Sequence, residues 1–479
     1  MCLSQKAFWF FLFFIIGVGL ASFEIELFKV VLGTAFLFLI IIFLATYKKQ
    51  PQAVVIGFLL CSIIIGSVYY NFYYTQTFNV EKITYGVPID INGTVVSSPR
   101  LSEKSQGFIL KTSEDWKIYV RTDKFKKIEY GFGIYFKGEI KPLEQNELYL
   151  KKDKVLGSVF FPENISVSSA QSFSFWRTLY EIRDYFAGVY QKILPINEAS
   201  LMTGILLGQE SAQFGSDFKQ AMKNSGTTHL VALSGYNITI LVSSLFMFLS
   251  FLIKRKSAFW VVIIGTILFV LMTGAQSSVV RAAIMGLLAV SAGRLSRIYS
   301  FSQAAVVAGF FMVVLNPFII RYDAGFSLSF LSLFGITYIS PLIQNLTHFY
   351  KPFWQGVFQL ICETIGAQLA VLPLLAGLFG TVSLIGVLSN IFLLPLVPIT
   401  MAIGFIVGVM GVIALPVAKL FSLIIFIPLK IEVIIIKLFG SLNAFPVNMG
   451  AWVMVVYYGI LAWILKKYNY IISTNEYKA

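Results

Sequence analysis

Long apolar runs recur along most of this sequence, and they restrict what the chain can fold into more than any other feature. A helix needs about 20 apolar residues to cross a bilayer, and three early runs approach that length: Ala7–Ala21, Val30–Thr46 and Gln52–Tyr70. The chain is 57% hydrophobic and 13% charged, whereas soluble domains are roughly 45–50% apolar and 25% charged. The composition excludes a soluble enzyme and predicts a polytopic α-helical membrane protein.

The second half of the chain contains enough apolar sequence for many more crossings. These runs lie near residues 230–253, 258–274, 279–293, 303–320, 324–343, 355–378, 382–414, 417–438 and 450–465. The run at 382–414 is long enough for two crossings or for one broken pair of helices. Together with the N-terminal runs, they predict about 10–12 transmembrane helices.

Basic residues predict how the chain is oriented. Lys48 and Lys49 follow the second run, and Lys254–Lys256 forms a second basic cluster. Because cytoplasmic loops carry an excess of Lys and Arg, we expect both clusters in the cytoplasm of a bacterium. The protein is then expected in the bacterial cytoplasmic (inner) membrane, with a cytoplasmic N-terminus and residues 80–167 outside the cytoplasm. The first run is interpreted as an anchor, since further apolar runs follow it without a small-residue cleavage pattern.

Residues 80–167 have the pattern of a β-domain. Apolar and polar residues alternate over Ile89–Val96, Phe108–Thr112, Lys117–Val120 and Ile134–Ile140, with Gly, Pro and charged turns between these stretches. Such alternation is typical of strands, and about five or six strands in this length predict a small all-β, OB-like domain. Its aromatic side chains either fill the core or stack on nucleotide bases: Phe108, Trp116, Tyr119, Phe125, Tyr135 and Phe136.

These patterns divide the chain into four predicted parts. Ser172–Leu194 mixes aromatic and basic residues and is followed by Pro195, which is typical of an amphipathic helix lying at the membrane interface. The parts are the N-terminal transmembrane helices (1–75), the OB-like domain (76–170), the interfacial helix (171–200) and a long helical domain (201–479).

The positive charge of the chain lies mainly outside the β-domain. The net charge is +14, yet residues 79–167 carry 14 Lys and Arg against 12 Asp and Glu. Basic cytoplasmic loops explain an excess on the membrane part. Attraction to a polyanion such as nucleic acid is the alternative explanation.

Polar residues within apolar runs indicate where function could lie, because a charge at the bilayer centre is unfavourable and usually faces an interior cavity. Ser234 and Asn237 share a helix face, and His229 lies nearby in a segment rich in small residues. Arg281 has no acidic neighbour in sequence, so it needs a distant partner or a wet cavity, unless it snorkels to the interface. The polar residues singled out in this way are His229, Ser234, Asn237, Gln276, Ser277, Ser278 and Arg281.

The acidic residues of the apolar runs are assigned to structural contacts. Asp323 precedes Ser327 by one helical turn, and capping of a helix start explains it as well as a functional role does. We assign Glu210, Arg321, Asp323 and Glu363 to structural polar pairs, with Arg281 or Arg321 as the bases.

In this order, these motifs resemble the membrane core of the ComEC-type competence DNA-uptake channel family. The matching stretches are Leu201–Glu210, Ser225–Leu241, Leu271–Met285, Asn316–Phe330 and Gln368–Asn390, and Gly93–Pro99 resembles the start of the family's OB-like domain. The resemblance implies a non-enzymatic channel component, without cofactor or metal, that passes single-stranded DNA into the cytoplasm during natural transformation. Residues 201–479 would then form the channel domain, and the seven polar residues named above would line its transport path. It also implies partners: the bilayer, a separate DNA receptor, a nuclease, a cytoplasmic DNA motor and further copies of the chain.

Two departures from the family pattern matter. Tyr236 and Asn237 stand where family members usually have a Leu-His pair, which puts the role of that histidine in doubt. Many members also carry a C-terminal metallo-β-lactamase-like domain, whereas two histidines cannot build such a zinc site here. We therefore expect a channel without its own nuclease.

Two other functional classes compete with this interpretation. One is a transporter of another anionic substrate that uses the same broken helices. The other is an intramembrane serine hydrolase with Ser234 as nucleophile and His229 as base. On one continuous helix those two side chains lie about 140° apart, which is unfavourable for a Ser–His hydrogen bond, so we expect no hydrolase.

Overall fold

The structure is a computed structural model of the chain. It describes residues 3–23, 33, 51–78, 83–102, 104–168, 174–208, 214–231, 233, 235–296, 298–347, 355–383, 385–447 and 449–476. Apart from Gly33, the predicted run Val30–Thr46 lies outside the described residues, as do the Lys48-Lys49 cluster, Glu210 and Ser234. The chain divides into two compact units, Met1–Glu181 with Val242–Phe326 and Ile182–Leu241 with Ser327–Ala479.

The protein is mostly helical. The helices in chain order are α1 (Leu3–Ser22), α2 (Pro51–Phe78), α3 (Phe175–Ile193), α4 (Ile196–Leu207), α5 (Ser216–Asn224), α6 (Thr228–Val231), α7 (Gly235–Leu252), α8 (Arg255–Met272), α9 (Ser277–Arg294), α10 (Phe301–Leu315), α11 (Ile319–Tyr322), α12 (Ala324–Phe334), a π-helical turn (Gly335–Ile339), α13 (Ser340–Thr347), α14 (Gln355–Phe379), α15 (Gly386–Leu393), α16 (Val397–Ile413), α17 (Leu415–Gly440) and α18 (Ala451–Glu476).

Within the described ranges, five helical segments are long and apolar enough to cross a membrane, and a bent pair is a possible sixth. The five are Gln5–Ser22, Gly57–Phe78, Ser277–Arg294, Ala324–Leu346 and Gln355–Phe379. The bent pair is α15 with α16, which meet at 50°, as the broken-pair interpretation of residues 382–414 predicted. The multi-pass membrane class is confirmed, while the number of 10–12 helices stays a prediction.

In the first unit, α1 and α2 pack at unusually short range because glycines face the contact. A side-chain carbon at Gly17 would collide with the backbone of Ile63, and one at Gly66 would collide with that of Phe14. Small residues allow such close backbone approach between membrane helices. Ser67 Oγ also donates to the Gly17 carbonyl over 3.0 Å.

The predicted β-domain is an eight-stranded sheet. Its strands are β1 (Pro88–Val95), β2 (Arg100–Leu101), β3 (Ser105–Thr112), β4 (Lys117–Asp123), β5 (Gly133–Glu139), β6 (Lys141–Pro142), β7 (Val155–Phe160) and β8 (Glu163–Ser168), with a 3₁₀ helix at Gln145–Asp153. The strand order is β6-β7-β4-β3-β1-β5-β8, and β2 pairs with β3. Only the β4–β7 pair is parallel among the strand pairs described.

The core of the β-domain follows from the alternation of apolar residues. Phe108 lies opposite Val120, and Ile91 lies opposite Phe136, in antiparallel register. All four are at most 3% exposed, because alternate side chains of a strand point to one face. Of the six predicted aromatics, Phe108 and Phe136 are core residues, Trp116 and Tyr119 are half-buried, and Phe125 and Tyr135 are exposed.

In the second unit, close helix contacts again occur at small residues. Gly335, in the π-helical turn, lies against the backbone of Gly366 in α14. The Tyr190 hydroxyl of α3 donates to the Gly404 carbonyl of α16 over 2.8 Å. The predicted helix over Ser172–Leu194 is therefore present as α3, and its location at the membrane interface stays a prediction.

Candidate functional site

The start of α9 carries four of the predicted site residues and is tied to the start of α12. Ser277 Oγ donates to Asp323 Oδ2 over 2.5 Å, and both side chains are buried. Arg281 follows one turn later and is 8% exposed. Gln276 and Ser278 are half-buried beside it. The Ser277–Asp323 bond therefore holds the end of the helix on which Arg281 lies.

Asp323 joins three parts of the first unit. Its Oδ1 accepts the backbone N–H of Gly325 over 3.0 Å, which caps the start of α12 as predicted. The same oxygen lies 3.5 Å from Lys152 Nζ, in an ion pair with side chains 25% and 11% exposed. The sequence suggested bases on Arg281 or Arg321; the structure adds Lys152, from the β-domain, and the two arginine pairings stay predictions.

The 3₁₀ helix of the β-domain lies against the ends of membrane helices through three lysines. The Asn316 amide donates to the Lys152 carbonyl over 2.7 Å. Lys151 Nζ lies 5.4 Å from the ring centroid of Tyr322, and Lys154 Nζ donates to the Tyr73 hydroxyl over 2.7 Å. Cation–π contacts of this kind are stabilising, by about 0.5–2 kcal/mol. The β-domain is thus anchored beside Asp323.

Arg321 contacts α1. Its guanidinium donates to the Ser22 carbonyl and lies 5.8 Å from the Phe23 ring centroid. This places Arg321 at the end of the first membrane helix, which is consistent with a structural role.

In the second unit, the Ser225–Leu241 motif begins with a polar turn that packs on α15. Ser389 Oγ donates to the Ser225 carbonyl over 2.6 Å, and Ser383 Oγ donates to the Asn224 carbonyl over 2.5 Å. Gly226 has φ +68° and its α-carbon lies against Gly386. Two of the stretches that resemble the ComEC-type family, Ser225–Leu241 and Gln368–Asn390, therefore contact each other at the start of α15.

The remaining predicted residues of the second unit lie in different surroundings. Asn237 is buried, and its amide donates to the Ile205 carbonyl over 3.1 Å. His229 is exposed, with Nδ1 at 3.0 Å from the Gly226 carbonyl. Glu363 accepts a hydrogen bond from Gln359, one turn earlier on α14, over 2.8 Å. Asn237 therefore joins two helices, whereas His229 is open to its surroundings.

Within the described ranges, no group of three or more His, Cys, Asp and Glu side chains could hold a metal ion. Two polar contacts that the sequence reasoning missed lie on α17. Glu432 Oε1 is 2.6 Å from Thr400 Oγ1, with both residues buried. Lys430 Nζ is 3.4 Å from Glu198 Oε1. The sequence does contain a signal for these contacts, because Lys430 and Glu432 are charged residues within the apolar run 417–438.

Comparisons with known proteins concern mainly the second half of the chain. The sequence pattern of a family described as "Competence protein" matches residues 205–468, which is more than half of the chain. The chain is also similar to "ComE operon protein 3" of Bacillus subtilis (strain 168), with 28% identity over 253 residues. That match covers 52% of this chain and 31% of the relative's length. No solved structure matches the chain.

Proposed function

The chain belongs to the competence protein family, and from that premise we propose that it is a channel component that passes single-stranded DNA into the cytoplasm. The matched residues, 205–468, include three of the five segments in the described part of the chain that are long and apolar enough to cross a membrane. A DNA strand carries one negative charge per phosphate, so its path must be wet and positively biased.

The burial of Arg281 within an apolar helix is the observation that supports this proposal most directly. Arg281 is 8% exposed near the start of α9, which is itself long and apolar enough to cross a membrane. An ionisable residue inside such a helix is unfavourable unless it faces a water-filled cavity or a polar partner, and such residues often mark an ion or substrate path. A guanidinium also binds phosphate with two parallel hydrogen bonds, which suits a strand that moves past it.

We further propose an OB-like topology for the β-domain. The meander β1-β3-β4, the second pairing of β1 with β5 and the parallel pairing of β4 with β7 support it. This domain is proposed to lie outside the cytoplasm of a bacterial inner-membrane protein with 10–12 helices and a cytoplasmic N-terminus. The exposed Lys254 and Lys256 would then face the cytoplasm.

The proposed channel acts without catalysis and without a bound cofactor. A separate DNA receptor, a nuclease and a cytoplasmic DNA motor are the proposed partners, and further copies of the chain are a possible part of the assembly. The alternative, transport of another anionic substrate, would use the same positive path, so the test must measure DNA itself.

The test measures internalised, nuclease-protected DNA in cells that express Arg281 variants, together with the amount of protein in the membrane. We expect Arg281→Gln to reduce uptake strongly at an unchanged protein level. Arg281→Lys should retain part of the uptake, because it keeps the charge but loses the planar fork. Arg294→Gln is the matched control: Arg294 ends the same helix and its guanidinium lies 4.4 Å from the Phe259 ring centroid.

Loss of the protein itself would have a different meaning. If Arg281 is half of a buried ion pair, its removal strands a carboxylate at a cost of about 3–5 kcal/mol, and Asp323→Asn should then restore the protein level. Normal uptake by Arg281→Gln would contradict the proposal. Protein-dependent uptake of a small anion without DNA would favour the alternative transporter.

A further inference from the structure

Glu432 is a buried carboxyl group that the proposed transport path does not use. It lies on α17 and is 1% exposed, and it contacts Thr400, which lies on α16 and is 0% exposed. Its Oε1 is 2.6 Å from Thr400 Oγ1, whereas its Oε2 is buried without a hydrogen-bond partner in the described part of the chain. A fully buried carboxylate with one hydrogen-bond donor is strongly unfavourable.

The hydroxyl of Thr400 has two oxygens within hydrogen-bond distance but only one proton. The second oxygen is the Leu396 carbonyl, 3.1 Å away and one helical turn earlier. A hydroxyl donates one hydrogen bond and accepts others. Both contacts can be hydrogen bonds at the same time only when Glu432 is protonated. The carboxyl group then donates to Thr400 Oγ1, and the Thr400 hydroxyl donates to the Leu396 carbonyl.

No base on the neighbouring helices neutralises Glu432. Helices α15 and α16 contain no titratable side chain. The charged residues of α4 and α5 are Glu198, Asp217, Lys219 and Lys223, and the other charged residues of α17 are Lys419, Lys430 and Lys437. Helix α3 packs on α16 through Tyr190, and its two arginines pair with Glu181 and Asp184 while its Lys192 is exposed. Lys430 pairs with Glu198 and points about 160° away from Glu432 around the helix. The described residues provide no ion pair to Glu432.

We propose that Glu432 is a site of reversible proton binding between α16 and α17. Thr400 can form a hydrogen bond with Glu432 in both the protonated and the ionised state, because only its hydroxyl proton has to turn. Its oxygen accepts the proton of the acid, and after deprotonation its hydroxyl can turn and donate to the carboxylate. Loss of the proton leaves a charge between two tightly packed helices, so protonation is coupled to their packing.

The test is labelling of the full-length protein in membranes with dicyclohexylcarbodiimide, an apolar reagent that reacts with protonated carboxyl groups. Mass spectrometry gives the labelled fraction of each peptide as a function of pH. Glu163 in β8 is the exposed control. We expect half-maximal labelling of Glu432 at least about one pH unit above that of Glu163.

Two sets of variants sharpen the result. Glu432→Gln should remove the label from this peptide. Thr400→Val should raise the pH of half-maximal labelling further, because the carboxylate loses a charge-assisted hydrogen bond, and Thr400→Ser should restore it. An unchanged value in Thr400→Val would overturn the role of Thr400.

The central comparison is made in the unmodified protein, so it does not depend on a variant folding. Equal half-maximal pH for Glu432 and Glu163 would overturn the proton site. This outcome is independent of the transported substrate, since no DNA enters the measurement.

Discussion

At the scale of single residues, several buried polar side chains are held by partners distant in sequence. Asp323 accepts hydrogen bonds from Ser277 and Gly325 and pairs with Lys152. Each of these donors would lose its acceptor if the carboxylate were removed, and a buried unsatisfied donor costs about 1–3 kcal/mol. Asp323 therefore stabilises the region that carries Arg281, and this role does not depend on which substrate the protein transports.

We predict that Asp323→Ala lowers the free energy of unfolding by about 1–3 kcal/mol. Asp323→Asn should cost less, because its amide oxygen can still accept one of these bonds. Lys152→Met should cost only about 0–1 kcal/mol, since a partly exposed ion pair contributes little. Thermal unfolding of the purified protein in detergent measures all three, and an Asp323→Ala protein as stable as the wild type would contradict the prediction.

At the scale of elements, close packing at glycines sets how the broken helices are arranged. The turn before α6 places Gly226 in the left-handed region and against Gly386 at the start of α15. Serine hydroxyls cap backbone carbonyls at the same place. The turn and the helix break are therefore one packed element, whose geometry requires the absence of a side chain.

Gly226→Ala is predicted to destabilise the protein more than Gly380→Ala. Both glycines have positive φ, +68° and +65°, so each alanine incurs the left-handed penalty of about 1–2 kcal/mol. A Cβ at Gly226 would also lie 3.0 Å from the Gly386 α-carbon, whereas nothing lies within 4 Å of one at Gly380. Membrane levels and unfolding temperatures of the two variants measure the difference; equal losses would show that the contact is unimportant.

At the scale of the whole molecule, apolar helices and a separate β-domain make a multi-pass membrane protein. The proposed orientation puts the β-domain outside the cytoplasm and the basic start of α8 inside. Exposed serines occur in both places: Ser113 in the turn between β3 and β4, and Ser257 near the start of α8. They provide matched positions for measuring the orientation.

In a protein whose native cysteines have been replaced, Ser113→Cys should react with a membrane-impermeant thiol reagent in intact cells. Ser257→Cys should react only after the cells are permeabilised, because it is predicted to face the cytoplasm. Gel-shift detection of the labelled protein gives the result. The reverse pattern would mean that the orientation is inverted.

The sequence alone determined the membrane class, the β-domain and the positions of most helices, because these depend on local signals. Apolar length decides which helices can cross, and period-two alternation decides which residues, such as Phe108 and Phe136, face a core. Family membership followed from ordered motifs for the same reason. Only the tertiary structure decided which polar groups meet. Lys152 reaches Asp323, and Thr400 reaches Glu432, because hydrogen bonds are short and directional and depend on helix packing that no local pattern specifies.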